Sequence, residues 1–455
     1  MSSRPANLWQ HRDFLKFWSA QTTSVFGSQL ASLAYPLTAI LVLEATTFQV
    51  GLLQATGTAS GVLLGLFAGV IVDRVSRKPL LIISNLGRAF LAFSIPIAAV
   101  FGFLRIEQLY LVAFLSGAFS IVSDVAGMAF LPSMLEKEQL VEGNSKLGTT
   151  ESAAMIAGPS LSGALVQILS APLTIFIDAV SFLFSAVLIW QIRVPENVRT
   201  VCVSGRSNVA EESTPVAEGD FSVTEKPPAH AGGSDKSIWT EIGEGLRFVY
   251  GDEILRPLAE SIAAYFLFRQ IVLTLFTLYA IRELHLEPVW LGVIFSALGF
   301  GFLLGALTVK SITRRFGIGR TLLGANFINI AALALVPLAS GSIVLLVTLF
   351  AISHFLHAFG VQISGINLMS LRQAITPNRL QGRMNASFRF VNVGMMMFGA
   401  LIAGFLGELI GLRATLFVGA VRMVIPFLRL LFSPIRNLQE QPGEKVIGGR
   451  SEPPA

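Results

Sequence analysis

Arg269, His354 and Asp178 stand inside long apolar stretches, where an ionisable side chain needs a reason to exist. Arg269 lies about 18 Å along a run that opens near residue 257, and His354 lies a similar distance into a run opening near 342, with His357 one turn later. A guanidinium at mid-membrane costs at least about 2.5 kcal/mol to insert. It persists only where an anionic or phenolic ligand, or a carboxylate such as Asp178 or Glu260, offsets that cost. An imidazole titrates near physiological pH and can carry a proton, or can sit as a satisfied neutral ring between helices. Asp178, about 9 Å into a run opening near 172, reads either as a cap or pair near the membrane interface or as a proton carrier. Arg422 falls in the middle of the last apolar run, and nothing in the sequence explains it.

The elements that must position these side chains follow from composition. The chain has 455 residues, a mean hydropathy of +0.68, 53% hydrophobic and only 13% charged residues, against roughly 25% charge in soluble domains. A water-exposed surface this apolar would aggregate, so lipid is the expected solvent for most of it. Runs of about 20 apolar residues are long enough to cross a bilayer. Six fill the first half, at about 17–43, 48–72, 79–102, 108–131, 148–170 and 172–192, and six the second, at about 257–281, 288–310, 320–340, 342–369, 385–410 and 412–433. The expected fold is all-α, with twelve transmembrane helices in two six-helix bundles, residues 1–192 and 256–436.

The sequence pI near 9.5 does not indicate nucleic acid, because the basic residues sit in short loops between apolar runs. Arg74, Arg77, Lys78, Lys137, Lys146, Arg314, Arg315, Arg320, Arg372, Arg379 and Arg383 fall on one side; the other has only Arg105, Arg282 and Arg413. The positive-inside rule then puts both termini in the cytoplasm. The opening residues lack a cleavage site, so the first span is expected to serve as the insertion signal. Residues 193–236, rich in Ser, Glu, Pro and Gly, read as a disordered cytoplasmic linker. Residues 237–255 place Ile238, Trp239, Ile242, Leu246 and Val249 at helical spacing beside Glu241, Glu244 and Arg247, an amphipathic helix for the membrane surface. Residues 437–455 form a cytoplasmic tail.

The halves echo one another at a constant offset of 241 residues: Gly51 with Gly292, Arg74 with Arg315, Asn85 with Asn326, Asn144 with Asn385, Gly158 with Gly399 and Gly163 with Gly404. Such matches at helix starts, loop ends and small-residue positions indicate a duplicated six-helix unit, and parallel repeats of this kind frame a central path in transporters.

Gly69, Asp73, Arg74, Arg77 and Lys78 close the second run in the order G-x-x-x-D-R-x-x-R-K. Gly69 permits close helix approach, and Asp73 at a helix end can accept hydrogen bonds from a neighbouring helix N-terminus such as that near Asn385. Here the sequence resembles the major facilitator superfamily, whose second loop reads G-x-x-x-D-R-x-G-R-K; Ser76 stands in place of the last glycine. The resemblance extends from about Asp13 to Arg436 and implies a conformational latch, in which Asp73 holds the eleventh helix and Arg77 pairs with Asp124 on the fourth. It also implies a cavity lined by helices one, four, seven and ten, which Arg269 and His354 would share. The bland alternative is a set of solvated, positive-inside charges.

Gly158, Pro159 and Gly163 lie within the fifth run; the proline removes a backbone hydrogen bond and bends the helix, and the glycines admit a neighbour. The stretch is similar to the helix-five antiporter motif of facilitator exporters, with Ser162 preceding Gly163 where a glycine pair is usual. Together with the ending Leu431-Phe-Ser-Pro434-Ile-Arg436, it looks most like the drug and siderophore exporter branch, which includes enterobactin exporters and macrolide efflux proteins. The arginine expected on the fourth helix of many drug–proton antiporters is missing between Phe114 and Ser123.

The resemblance therefore implies a secondary transporter exporting a small amphipathic or lipophilic compound (drug, siderophore or metabolite) by alternating access, with proton antiport, in the bacterial inner membrane and as a monomer. Nutrient uptake by a symporter is the alternative. Enzymatic function is not expected: there is no G-x-x-x-x-G-K-[ST] loop for ATP. The five histidines are scattered and lack carboxylates at metal-ligand spacing, and Cys202 is the only cysteine. No cofactor, metal or nucleic acid is called for, and the partners are a small-molecule substrate, protons and membrane lipid. A polytopic enzyme or a non-transporting scaffold remain remote readings.

Overall fold

The computed structural model describes residues 8–193, 238–377 and 380–438, with side-chain surroundings for all of these except 65–71, 73, 74, 238–242 and 437. The predicted linker and the C-terminal tail beyond 438 lie outside the described residues. Every regular element among those described is helical. The first half comprises α1 (Arg12–Leu37, prolonged by a π turn Thr38–Val42), α2 (Thr47–Arg74), α3 (Arg77–Val100), α4 (Ile106–Met134), α5 (Leu140–Leu169) and α6 (Ala171–Trp190). A shorter helix, α7 (Ile238–Gly251), precedes α8 (Leu255–Arg282), α9 (Pro288–Phe316), α10 (Ile318–Leu338), α11 (Ile343–Ile375), α12 (Gln381–Ile410), α13 (Leu412–Arg422) and α14 (Val424–Leu431).

Eleven helices are long and apolar enough to cross a membrane, counting α13 and α14 as one. The twelfth is α2, 28 residues long and without a charge between Val50 and Val72. Several spans exceed their apolar runs. α5 begins at Leu140 rather than near 148, following a capping box at Glu136 and carrying an i,i+4 pair between Lys146 and Glu142 at 3.3 Å. α11 continues to Ile375 rather than ending near 369. Apolarity marks the length that lipid covers, and a helix ends where its backbone hydrogen bonding ends, so polar turns extend beyond the hydrocarbon. The last span is not one helix: it breaks at Met423, leaving Arg422 exposed at the end of α13.

The repeat is geometric as well as sequential. Shifted by 241 residues, the bounds of α5 and α6 fall on those of α12 and on the α13–α14 span, and α3 begins where α10 begins. Contacts repeat too. Gly158 lies against Gln29 of α1, and Gly399 lies against Gln270 of α8, both pairs related by the same offset.

α1 begins and α14 ends on one side, here the terminal face; the opposite side is the far face. Among the described residues three large hydrophobic clusters form most of the interior, with a small fourth at Val309, Ala325 and Ile363. One is shared by the halves on the far side, joining Leu33, Leu37, Val50 and Leu53 to Ile271, Leu275, Leu291 and Ala403. On the terminal side the core divides, with Phe14, Phe17, Phe130 and Leu131 in the first half and Leu258, Ile262, Leu322 and Phe388 in the second. α7 is fastened to the second half: Val249 joins its cluster, Gly245 meets the Arg383 backbone, and Glu244 pairs with Arg383.

Candidate functional site

Two glycine contacts close the far side. A Cβ added at Gly51 would stand 2.7 Å from Gly404 Cα, and one at Gly163 would stand 3.0 Å from Gly292 Cα, so bare backbone lets α2 meet α12 and α5 meet α9. Around them, Ser160 and Ser296 hydroxyls lie 2.7 Å apart, the Phe48 amide donates to Glu408 Oε1 at 3.2 Å, and Arg282 donates to the Ala45 carbonyl at 2.8 Å. Gln167 adds a contact to Glu287 at 3.4 Å, so these hydrogen bonds between the halves gather in one far-side layer. Gly163 and Pro159 thus have a concrete use: Gly292 faces the Pro159 carbonyl, while Gly158 receives Gln29 of its own half.

Below this layer, toward the terminal face, charges collect at one depth. Arg88 of α3, Asp124 of α4, Glu151 of α5 and Arg389 of α12 each lie roughly 12–17 Å along their helices from that face. Asp124, Glu151 and Arg389 are exposed although they occur within spanning helices. Asp124 feels the charges of Arg88 and Glu151 from its own half and of Arg389 from the other. A carboxylate exposed at this depth, with neighbours on both halves, faces the cleft between them rather than lipid.

Arg88 is the hub of the first half. Its Nη2 donates to Ser28 Oγ at 2.9 Å, its guanidinium lies 3.8 Å over the Phe182 ring, and its Nε is buried without a partner. Asp178 is 2% exposed, with Oδ1 unpartnered, wedged beside Ser181 and against Gly27, where a Cβ would come within 2.7 Å of that oxygen. It interacts electrostatically with Arg88 and Tyr35 across the bundle, without a direct ion pair among the described residues. Asp178 is therefore a buried charge and not an interfacial cap.

In the second half, Arg269 pairs neither with Asp178 nor with Glu260. Glu260 is held by Arg256 at 3.1 Å and by Arg429. Arg269 Nε instead donates to His357 Nε2 at 3.0 Å, and the Tyr265 ring stacks on that imidazole at 6.4 Å. His354, one turn away, is turned aside: its Nδ1 lies 2.9 Å from the Phe350 carbonyl and its ring contacts Phe276 and Phe295 at 4.4 and 5.4 Å. Arg269 and His354 do not share a hydrogen bond; His357 takes that place.

The latch residues are divided. The side chains of Gly69, Asp73 and Arg74 lie outside the described residues. The Lys78 ammonium reaches the Ile192 carbonyl at the end of the first half. No ion pair between Arg77 and Asp124 occurs among the described residues, where Asp124 has Arg88, Glu151 and Arg389 for neighbours.

Sequence reasoning passed over Arg88, Glu151 and Arg389. Arg88 carried the same signal as Arg269, a charge about 16 Å into an apolar run, but attention to helices one, four, seven and ten left helix three aside. Glu151 and Arg389 were hidden by apolar boundaries drawn too short.

Comparison with known proteins fits this architecture. The profile of the Major Facilitator Superfamily matches residues 17–400. The chain is 26% identical over 435 residues to the multidrug efflux pump Tap of Mycolicibacterium fortuitum, covering 90% of this chain and 95% of that one. It is 23% identical over 439 residues to the enterobactin exporter EntS of Citrobacter koseri, covering 95% and 94%. Among solved structures, a nucleoside transporter NupG mutant superposes with a TM-score of 0.71 at 13% identity, covering 93% of this chain and 99% of that one. A bacterial homologue of the iron transporter ferroportin, at 17% identity and covering 92% and 98%, superposes with a TM-score of 0.68 in its inward-facing state and 0.52 in its outward-facing state. The chain belongs to the Major Facilitator Superfamily: it is a multi-pass membrane transporter and not an enzyme.

Proposed function

We propose that this transporter exports a small amphipathic or lipophilic organic compound from the cytoplasm by alternating access, as a monomer in the bacterial inner membrane, in exchange for protons. Both termini are cytoplasmic in this reading, so the terminal face looks inward and the cleft opens to the cytoplasm. The observation that carries it is the divided core: the halves share one hydrophobic cluster on the far side and keep separate clusters on the terminal side. A closed far side over a cleft holding exposed charges is one end state of alternating access, the one in which an exporter loads. The similarity to a multidrug efflux pump and to an enterobactin exporter supports outward transport of such compounds.

Roles follow from placement. Arg269, held by His357, offers an anchor for an acidic or phenolic group, with the aromatic side chains around it covering apolar parts of the substrate. His354, enclosed by Phe276, Phe295 and Phe350, supports that wall. Asp124 and Asp178 are the proton-carrying candidates, linked through Arg88. Gly69, Asp73, Arg74, Arg77 and Lys78 latch the cytoplasmic side when the far side opens, and Gly158, Pro159 and Gly163 shape the far seal.

Counterflow in inverted membrane vesicles tests direction and coupling together. With an acid lumen, an exporter exchanging for protons accumulates a fluorescent lipophilic substrate inside. A nutrient symporter loses preloaded substrate from the same vesicles as protons leave, and that result overturns the proposal.

A further inference from the structure

A cavity of about 160 Å³ lies wholly inside the second half, its described walls drawn from α8, α10, α11, α12 and α14. All its described walls belong to that half, and Gly365 is exposed on its open side. Its walls are largely apolar, including Ile262, Leu368 and Leu430; of its polar members Ser261 and Asn326 donate to backbone carbonyls and the others each leave an atom unmet. Tyr265 Oη, Asn329 Oδ1, Ser364 Oγ, Arg372 Nε and Asn392 Oδ1 are all buried without a hydrogen-bond partner. Asn329 is 1% and Ser364 7% exposed. Leaving one such atom unmet costs about 1–3 kcal/mol, so five around one space describe a ligand's complement rather than a packing accident.

The repeat says what is missing. At the offset of 241 residues, Arg88, Asp124 and Glu151 of the first half correspond to Asn329, Gly365 and Asn392, and all three line this cavity. Where the first half sets a carboxylate among its charges, the second has a glycine, and a Cβ added at Gly365 would meet nothing within 4 Å. Space and unsatisfied amides stand where the first half has its own acid.

The donor set defines the guest. Arg372 is the single cation on the described wall, no Asp or Glu accompanies it, and its guanidinium lies 4.4 Å over the Phe388 ring, which leaves its edge free. That calls for one negative charge and excludes a metal cation. The two amide oxygens accept only, so the guest must also donate; Tyr265 and Ser364 can serve either way. Arg372 and Gly365 are separated by about 10 Å along α11, the reach of one ring with a hydrogen bond at each end. The volume is near that at which an apolar cavity takes a benzene ring.

We propose that this cavity binds a small aromatic monocarboxylate bearing a hydroxyl or amino donor, with its carboxylate on Arg372 and its donor at Asn329 or Asn392. Because only one half builds the site, the guest stays with that half throughout the transport cycle. The proposal does not depend on the direction of transport.

The test uses purified full-length protein in lipid nanodiscs, titrated calorimetrically at neutral pH with 4-hydroxybenzoate, benzoate and 4-hydroxybenzyl alcohol. Saturable one-site binding is expected for 4-hydroxybenzoate, with benzoate weaker by about 2–10-fold for want of a donor and the alcohol weaker by about 10–100-fold for want of charge. Arg372→Gln should weaken 4-hydroxybenzoate by about 10-fold or more, and Ser364→Ala by a few-fold. Gly365→Asp, whose side chain has room, should abolish binding while the thermal midpoint of the unliganded protein holds, and Gly365→Asn should impair it less. Equal affinity for the three compounds, equal binding by wild type and Gly365→Asp, or no heat up to about 10 mM ligand would each overturn the proposal, the last leaving a cavity that holds water only.

Discussion

Arg269 donates from Nε to Nε2 of His357 at 3.0 Å, across the gap between α8 and α11. A nitrogen that accepts carries no proton, so this imidazole is neutral and its hydrogen is on Nδ1, which is buried without a partner. Protonation of Nε2 would delete the bond and set two cations side by side. The contact therefore belongs to the neutral form and is lost as pH falls.

His357→Gln should separate these effects, because a side-chain amide oxygen accepts from Arg269 at any pH. Transport by this variant should keep at least part of its rate while its acid limb flattens, measured as initial rates in proteoliposomes at fixed proton gradient and varied absolute pH. Arg269→Gln should abolish transport of acidic substrates with little change in thermal midpoint. A large fall in midpoint together with retained transport would assign Arg269 a structural role.

Ser160 and Ser296 face each other across the far seal with their hydroxyls 2.7 Å apart, a separation that side chains of a disulfide can bridge. Ser160→Cys with Ser296→Cys, in a Cys202→Ser background, should cross-link on oxidation and stop transport, with recovery after reduction. Substrate binding from the cytoplasmic side should survive the cross-link. Transport undiminished in fully cross-linked protein would mean that the seal does not open between α5 and α9.

Gly163→Val and Gly404→Val should each weaken the closed far side by about 1–3 kcal/mol, the usual cost of forcing atoms into a filled contact. With Ser160→Cys as the reporter in a Cys202→Ser background, labelling from the far face should rise in both, and to a similar extent. Unchanged labelling in either would contradict the close backbone contact at that pair.

Asp124 has two claimants. Asp73→Asn should reduce transport while membrane expression stays near normal, as the latch requires. If Asp124 answers to Arg389 across the cleft, Asp124→Arg with Arg389→Asp should recover more transport than Asp124→Arg with Arg77→Asp. The opposite ranking would return Asp124 to the latch.

The spans, their number and their pairing into halves were legible because lipid imposes a length and a polarity on every crossing helix, and the motif around Asp73 named the family. The break at Met423 had a signal that went unread: Pro426 has no N–H to donate to the Arg422 carbonyl, and Arg422 is the single charge between Arg413 and Arg429. Arg269 was recognisable as a charge at mid-membrane depth, whereas Asp178 read as a cap or pair near the interface or as a proton carrier. Their partners were not legible: whether Arg269 meets His357 or His354 depends on rotation of α11 by a single turn's worth of side chains, and whether Asp178 answers Arg88 depends on a gap opened by Gly27. Arg88 shows the converse, a charge visible in the sequence whose depth was left unread.

The far seal joins Gly51 to Gly404 and Gly163 to Gly292, while the duplication relates Gly51 to Gly292 and Gly163 to Gly404. Each half thus presents the same two glycines, and each glycine meets the other kind, which is the pattern of an isologous contact about a two-fold axis. A face that fits its own rotated image needs no second design: a free-standing six-helix ancestor could have closed against an identical copy with the residues that close this chain against itself.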